Sequence, residues 1–124
     1  MIITICGSTR FKEEMQIAAE TLTMQGHIVL APCVFHHADN KDLTVEEKIR
    51  LDNLHKEKIN MSDAIFVVNI DGYIGESTFG EIDWAERMKK QIFFLVEPNI
   101  TKENEEEPKD IQPVVNSEEE ESAE

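Results

Sequence analysis

The sequence predicts an α/β fold, in which a single Rossmann-like or flavodoxin-like domain has a parallel sheet with helices on both faces. Short apolar runs alternate with longer stretches of helical periodicity through the first 97 residues, which is the element order of parallel β–α–β units. At 124 residues the chain is long enough for one hydrophobic core but not for two. We therefore predict a folded domain over residues 1–100 and a disordered acidic tail over residues 101–124.

The first two strands and the helix between them follow from apolar spacing. Met1–Cys6 is an apolar run and is predicted as the first strand. From Arg10 to about Gln25 the apolar residues recur at helical spacing, and Gly26 is suited to end that helix. His27–Ala31 is then predicted as the second strand. The apolar stripe of the helix consists of Phe11, Met15, Ala18, Ala19 and Leu22.

The second helix is predicted to begin at Thr44, because Thr44 and Glu47 have the spacing of a capping box, and to run to about Met61. Ala64–Ile70 follows as a β-branched run, which is typical of a fully buried central strand. The inward positions of this second helix are predicted to be Ile49, Leu54 and Ile59.

The third helix is predicted to begin near Ser77 or Thr78. It is followed by Gln91–Val96, the last predicted strand. After Pro98 the alternation of apolar runs and helical stretches stops. The apolar side of the third helix is predicted to carry Ile82, Ala85 and Met88.

Negative charge is concentrated towards the C-terminal end. The formal net charge is −14 at pH 7, and from Lys102 onward ten acidic residues accompany two lysines, which leaves −6 on the preceding residues. That composition, with almost no aromatic or periodic apolar content, predicts a disordered segment. A net-negative body lacks the basic surface that polymeric DNA or RNA requires, so we predict a small-molecule partner and no polymeric nucleic acid.

No membrane segment and no secretory signal are predicted. Each apolar run is far shorter than the roughly 20 residues that cross a bilayer. Met1–Cys6 also lacks the charged and apolar regions of a signal peptide, so we expect a cytoplasmic protein. Cys6 and Cys33 lie far apart without CxxC spacing, which favours two buried thiols over a disulfide or a redox motif.

The loop after the first strand is a candidate anion site, because ligands of open parallel sheets bind at the carboxyl ends of the strands. Gly7-Ser8-Thr9-Arg10 offers a glycine, two hydroxyls, backbone N–H groups and a guanidinium at the positive end of a helix. This composition fits a phosphate cradle, although it is neither GxGxxG nor a Walker loop. A capped strand-to-helix turn without any ligand is the structural alternative.

The loop after the central strand, Asp71–Glu81, also contains glycines and leads into a helix. Thr78 and Glu81 have capping-box spacing, so Glu81 could simply bind backbone N–H groups of its own helix. Glu81 also follows a central strand, where reacting groups of α/β enzymes are often located. From the residues alone, a helix-capping role and a catalytic role for Glu81 are equally open.

Three motifs in this order resemble the nucleoside 2-deoxyribosyltransferase family and its relatives, the 2'-deoxynucleoside 5'-phosphate N-hydrolases. They are Cys6-Gly-Ser-Thr-Arg10 at the first turn, Ser62-Asp-Ala-Ile-Phe-Val-Val68 at the central strand and Gly80-Glu-Ile-Asp-Trp-Ala85 in the third helix. The resemblance covers about the first 97 residues and favours the catalytic interpretation of the glutamate in the third motif.

The resemblance implies that Glu81 attacks C1' of a deoxyribose and forms a covalent glycosyl ester as the base leaves. Water as the acceptor of the sugar gives an N-hydrolase and a second base gives a transferase, and both stay open. The resemblance implies neither a metal nor a redox cofactor. The residues predicted to contact the nucleoside or nucleotide are Gly7, Ser8, Thr9, Arg10, Phe35, Tyr73, Gly75, Ser77 and Thr78.

Two positions depart from the family pattern and keep a second function class open. His55, eight residues before Asp63, replaces an Asp of the hydrolases, and Asp83 replaces a Gly. His55 is a candidate proton donor to the leaving base because an unperturbed imidazole titrates near neutrality, and a partly buried helix histidine is the alternative. With these departures the domain could bind or sense a nucleotide without turning it over.

The segment after the second strand contains Cys33, His36, His37 and Asp39 within seven residues. Their spacing matches no closed zinc pattern, so we predict no metal site there. The resemblance implies a base-covering loop instead, in which Phe35 and the two histidines would stack on the base. Because related enzymes complete their sites with a neighbouring subunit, we expect a homodimer or a higher homo-oligomer.

Overall fold

The computed structural model describes residues 1–98, which form a four-stranded, all-parallel sheet and three α-helices. The predicted α/β class is confirmed, whereas the predicted tail over residues 101–124 lies outside the described residues. The elements are β1 (Ile2–Gly7), α1 (Lys12–Met24), β2 (Ile28–Leu30), α2 (Val45–Asn60), β3 (Ala64–Val68), α3 (Glu76–Arg87) and β4 (Gln91–Phe94).

The strand order is β2-β1-β3-β4, and each neighbouring pair is parallel. This order matches the first four strands of a flavodoxin-like sheet, in which the chain changes direction between β1 and β3. Gly7 at the end of β1 is in register with Val68 at the end of β3. The carboxyl ends of the two central strands therefore meet at the position where such sheets bind their ligands.

Helix α1 covers one face of the sheet. Its Met15 is 1% exposed and packs with Ile5 of β1 and Val68 of β3, while the rest of its predicted apolar stripe packs around them. The stripe predicted from helical spacing is confirmed. Gly26 follows the C-cap Gln25 with a φ of +99°, a conformation in which glycine is not strained, so the predicted helix end is also confirmed.

Helices α2 and α3 cover the opposite face, where Ile59 and Ala85 are completely buried against the sheet. The predicted inward positions Ile49 and Leu54 are wrong, because both side chains are more than half exposed. Since Ile59 is buried, the side chain four residues earlier shares its face, and that residue is His55. The predicted helical periodicity of α2 is confirmed, but the face that contacts the sheet is not the face that was predicted to point inward. Met88, also predicted inward, is 41% exposed just after α3 ends.

The helix starts are set by local chemistry. The predicted capping box is confirmed: the backbone N–H of Glu47 donates to Thr44 Oγ1, and the N–H of Thr44 donates to Glu47 Oε1. Helix α3 begins at Glu76, one residue before Ser77, the earlier of its two predicted starts, with Gly75 as its N-cap. None of the helices in residues 1–98 is long and apolar enough to cross a membrane, and the cytoplasmic location stays a prediction.

Candidate functional site

A cleft of about 810 Å³ opens at the carboxyl ends of β1 and β3. The first wall is the turn from Gly7 to Arg10, and the second is the loop and helix start from Tyr73 to Thr78. Helix α2 supplies a third wall, and the segment after β2 contributes its rim. Of the sequence-predicted site residues, Gly7, Ser8, Thr9, Arg10, His55, Tyr73, Gly75, Ser77, Thr78 and Glu81 line this cleft.

The two hydroxyl groups of the turn after β1 make contacts within the turn and with the loop after β2. Ser8 Oγ accepts hydrogen bonds from the backbone N–H and the Nε of Arg10, at 3.3 and 3.1 Å. The Arg10 guanidinium lies 5.2 Å from the ring centre of Tyr73, so it is held between the two loops at the cleft mouth. Thr9 Oγ1 is 2.7 Å from His37 Nδ1. No side chain caps the start of α1, and Glu13 and Glu14 lie in its first turn.

Three ionisable side chains from three different elements cluster at the base of the cleft, where His55 and Glu81 line the cleft and the fully buried Cys6 lies behind them. Cys6 comes from β1, His55 from α2 and Glu81 from α3. His55 Nε2 lies 3.4 Å from Cys6 Sγ and 3.8 Å from Glu81 Oε1. Cys6 is fully buried and His55 is 8% exposed, whereas Glu81 Oε1 is a buried atom without a hydrogen-bond partner.

Burial controls the charge of this cluster. Burial raises the pKa of Glu81 from 4.5 to about 8, with the neighbouring Cys6 thiol partly offsetting this rise and the carboxylate of Asp52 adding a smaller contribution to it. Burial, with a smaller contribution from Lys58, lowers the pKa of His55 from 6.5 to about 4. Burial and the neighbouring Glu81 raise the pKa of the Cys6 thiol well above 9. At pH 7 all three groups are therefore predominantly neutral, and the contact between His55 and Glu81 is not an ion pair.

The capping alternative for Glu81 is wrong. Helix α3 has Gly75 as its N-cap and no side-chain cap, so Thr78 is not the capping residue and Glu81 lies in the second turn. Thr78 is 2% exposed and faces the cleft. Helix capping therefore does not explain why the Glu81 carboxyl group is buried. Buried polar groups without partners and with shifted pKa values are concentrated at functional sites, which favours a functional role for Glu81.

One face of α2 contributes cleft residues that the sequence analysis missed. Lys48 Nζ contacts Asp52 Oδ1 at 2.9 Å and donates to Ser77 Oγ at 3.3 Å. Lys58 Nζ donates to the carbonyl oxygen of Ala31 at 2.7 Å. The signal was present, because Lys48, Asp52 and His55 have the spacing i, i+4 and i+7 of a single helix face.

The loop after β2 differs from its predicted role. Phe35 is 9% exposed and packs in the α1-side core with Ile5 and Met15, so it does not stack at the cleft. His36 and His37 do line the cleft, with ring centres 4.2 Å apart. Cys33, predicted to be buried, is exposed because it lies at the cleft rim rather than under a helix.

Asp83, one of the two departures from the family pattern, does not line the cleft. It is exposed and pairs with Arg87 one turn further along α3, at 3.1 Å. His55 lines the cleft, so of these two positions it is the one at the candidate site. Comparison with models of known protein families and with curated proteins finds no match to this chain.

Proposed function

We propose that this protein cleaves or transfers at the N-glycosidic bond of a deoxynucleoside or its 5'-monophosphate, with Glu81 as the nucleophile. The supporting observation is the Glu81 carboxyl group at the base of a cleft of about 810 Å³, with Oε1 buried and unpaired. A cleft of that size is in the range of small-molecule sites. Its lining includes both the turn from Gly7 to Arg10, which is proposed below to bind an anion, and the pair His55 and Glu81.

In the proposed first step, a carboxylate oxygen of Glu81 bonds to C1' as the C1'–N bond breaks, and the electron pair of that bond leaves with the base. With Glu81 ionised, the departing base takes its proton from water in the cleft, and neutral His55, 3.8 Å from Glu81 Oε1, relays that proton through its ring. In the second step, water or another base attacks C1' and releases the Glu81 carboxylate. The configuration at C1' is retained after two displacements.

The turn from Gly7 to Arg10 is proposed to bind the 5'-phosphate, with Ser77 assisting from the start of α3. Arg10→Ala removes the guanidinium, and charged hydrogen bonds to phosphate contribute about 1.5–3 kcal/mol. We expect the Kd for a 5'-monophosphate to rise roughly tenfold or more and the Kd for the matching nucleoside to change little. Isothermal titration with both ligands checks this, and equal losses for both would show that Arg10 does not bind the phosphate.

The pKa of Glu81 predicts how the rate depends on pH. Attack on C1' requires the carboxylate, and the raised pKa of about 8 means that its population grows as the pH rises through that value. We expect kcat/KM, which reports the free enzyme, to increase about tenfold per pH unit from pH 6.5 to 7.5 and to level off above pH 8. Initial rates in buffers containing EDTA test this. A rate that falls with rising pH over the same range would exclude Glu81 as an ionised nucleophile.

Incubation with a panel of deoxynucleosides and their 5'-monophosphates, followed by chromatography for free base, tests the activity itself. Adding a second free base to the same reactions separates transfer, which gives a new nucleoside, from hydrolysis, which gives the free sugar. Either product supports the proposal. The absence of base release from every member of the panel would contradict it.

A nucleotide-binding module without turnover is the second candidate. The observation that favours it is the neutral state of Glu81 at pH 7, since a protonated carboxyl group is a poor nucleophile. Tight binding of nucleotides to wild-type protein that releases no base would support this function.

We also propose a homodimer or higher homo-oligomer. Leu54 and Met61 line the cleft and are 52% and 66% exposed, so a second subunit could cover apolar surface there and enclose the substrate. Light scattering at micromolar concentration is expected to give at least twice the mass of 14.2 kDa. A monomer under those conditions would contradict this proposal.

A further inference from the structure

We propose that Cys6, His55 and Glu81 form a binding site for Zn²⁺ or a chemically similar transition-metal ion at the base of the cleft. Within residues 1–98 these are the Cys, His and acidic side chains that approach closely enough to share a metal, with one donor atom from each lying within 4.8 Å of the others. The Cys33–Asp39 segment considered in the sequence forms no such group in the described chain.

The donor spacing fits tetrahedral coordination. Ideal zinc bonds, roughly 2.3 Å to sulfur and 2.0–2.2 Å to nitrogen or oxygen, separate tetrahedral donors by about 3.4–3.6 Å. The distance from Cys6 Sγ to His55 Nε2 is 3.4 Å, and that from His55 Nε2 to Glu81 Oε1 is 3.8 Å. These two separations are within a few tenths of an ångström of the tetrahedral values, and the third, between Cys6 Sγ and the Glu81 carboxyl group, is no more than 4.8 Å.

The types of donor select the metal. A thiolate, an imidazole and a carboxylate suit borderline-soft ions such as Zn²⁺ and Co²⁺, whereas Ca²⁺ and Mg²⁺ prefer oxygen donors alone. Three protein ligands with a fourth position open to solvent or substrate is the arrangement of catalytic zinc sites. His55 and Glu81 line the cleft, so an ion can enter from that side and keep its fourth position open there.

The unpaired oxygen is the second, independent observation. Glu81 Oε1 is buried beside His55 Nε2 and has no hydrogen-bond partner, which is costly for a carboxyl group unless something else occupies that position. A metal ion would satisfy this oxygen. The three ligands also come from β1, α2 and α3, whose packing against each other fixes the donors in place before any ion binds.

Metal binding leaves the net charge of the three side chains and the ion at zero, because the ion replaces two protons. Cys6 and Glu81 each release one proton, neutral His55 uses its ring lone pair, and the divalent ion replaces the two protons. The cluster therefore carries no net charge with or without the metal, and occupancy adds no uncompensated charge to a buried site.

This site has a consequence that rests on the proposed function. A Glu81 oxygen bonded to the metal cannot attack C1', so the metal-bound protein is inactive and Zn²⁺ acts as an inhibitor that EDTA reverses. Metal binding itself is measured without substrate, so its outcome is independent of whether the protein turns over nucleosides.

The experiment is a Co²⁺ titration of the full chain, purified without a histidine tag, followed by absorption spectroscopy. We expect one equivalent to bind, with a thiolate-to-cobalt charge-transfer band in the near ultraviolet, and Zn²⁺ to abolish the band. Cys6→Ser should lose this band, and the matched control Cys33→Ser should keep it. Thermal unfolding followed by circular dichroism should show a higher Tm of the wild type with Zn²⁺.

Glu81→Gln provides a second variant in case the buried Cys6→Ser protein does not fold. It keeps the thiol, so the band should persist while the Kd for Co²⁺ rises at least about tenfold. A wild type without the band at millimolar Co²⁺ would overturn the proposal. So would a band that disappears in Cys33→Ser but persists in Cys6→Ser, or an unchanged Kd in Glu81→Gln.

Discussion

Replacing Glu81 with glutamine is expected to abolish measurable turnover while the protein stays folded. The amide keeps the shape of the carboxyl group but is a far poorer nucleophile, so kcat should fall by several orders of magnitude with little change in nucleotide Kd. Initial rates and isothermal titration on the same preparation check both parts. A 2-fluoro-substituted deoxynucleoside should also leave a sugar adduct on the wild-type peptide that contains Glu81, because fluorine destabilises the cationic transition state and slows release of the intermediate.

The same variant has a characteristic effect on stability. The pKa of Glu81 is higher in the folded protein, about 8, than its ordinary value of 4.5, so the folded state binds the extra proton between these values. Stability is then greatest at low pH within that range and falls as the pH rises, by at most about 1.4 kcal/mol per pH unit. The lowered pKa of His55 acts in the opposite direction, but only below pH 6.5.

Between pH 6.5 and 8 we therefore expect the wild type to lose stability with rising pH and Glu81→Gln to lose much less, as measured by urea unfolding. Glu20→Gln is the matched control, since it changes an exposed glutamate of α1 outside the cleft and should leave turnover unchanged. A fully active Glu81→Gln enzyme would end the catalytic proposal. An inactive wild type that binds nucleotides tightly would favour the binding module instead.

Gly7→Ala is expected to give the largest loss of stability. Gly7 has a φ of +150°, a conformation that L side chains rarely adopt. A Cβ atom there would lie 2.8 Å from the carbonyl oxygen of Val68 and 2.9 Å from the terminal methyl of Met15. The backbone oxygen belongs to the adjacent strand and cannot move without disturbing the sheet, so we expect a loss of about 2 kcal/mol or more in urea unfolding.

Gly80→Ala provides the matched comparison. Gly80 is exposed within α3, and no neighbouring atom lies within 4 Å of its added methyl group. Alanine in a helix is favoured over glycine by about 0.5–1 kcal/mol, so this variant should be more stable than the wild type. A Gly7→Ala protein as stable as the wild type would show that the end of β1 can move away from β3.

The sequence alone determined the elements, because they depend on neighbouring residues, and it identified two walls of the cleft. Apolar spacing sets which stretches form strands and helices, and Thr44 with Glu47 starts α2 through bonds that span three residues. The loops ending at Arg10 and Thr78 could be identified as cleft walls because parallel strands expose their carboxyl ends together. The sequence does not distinguish a helix-capping role of Glu81 from a catalytic role, since its spacing from Thr78 is compatible with both.

Only the tertiary structure decided which side chains meet at the base of the cleft. Cys6 and His55 are 49 residues apart in sequence, and their contact depends on the strand order and on the rotation of α2 about its axis. That rotation exposed Ile49 and Leu54 and turned His55 inward, because burying Ile59 against the sheet fixes which helix face points to it. Helical periodicity defines the faces of a helix but not which face contacts the sheet, and that choice is made by packing between segments distant in sequence.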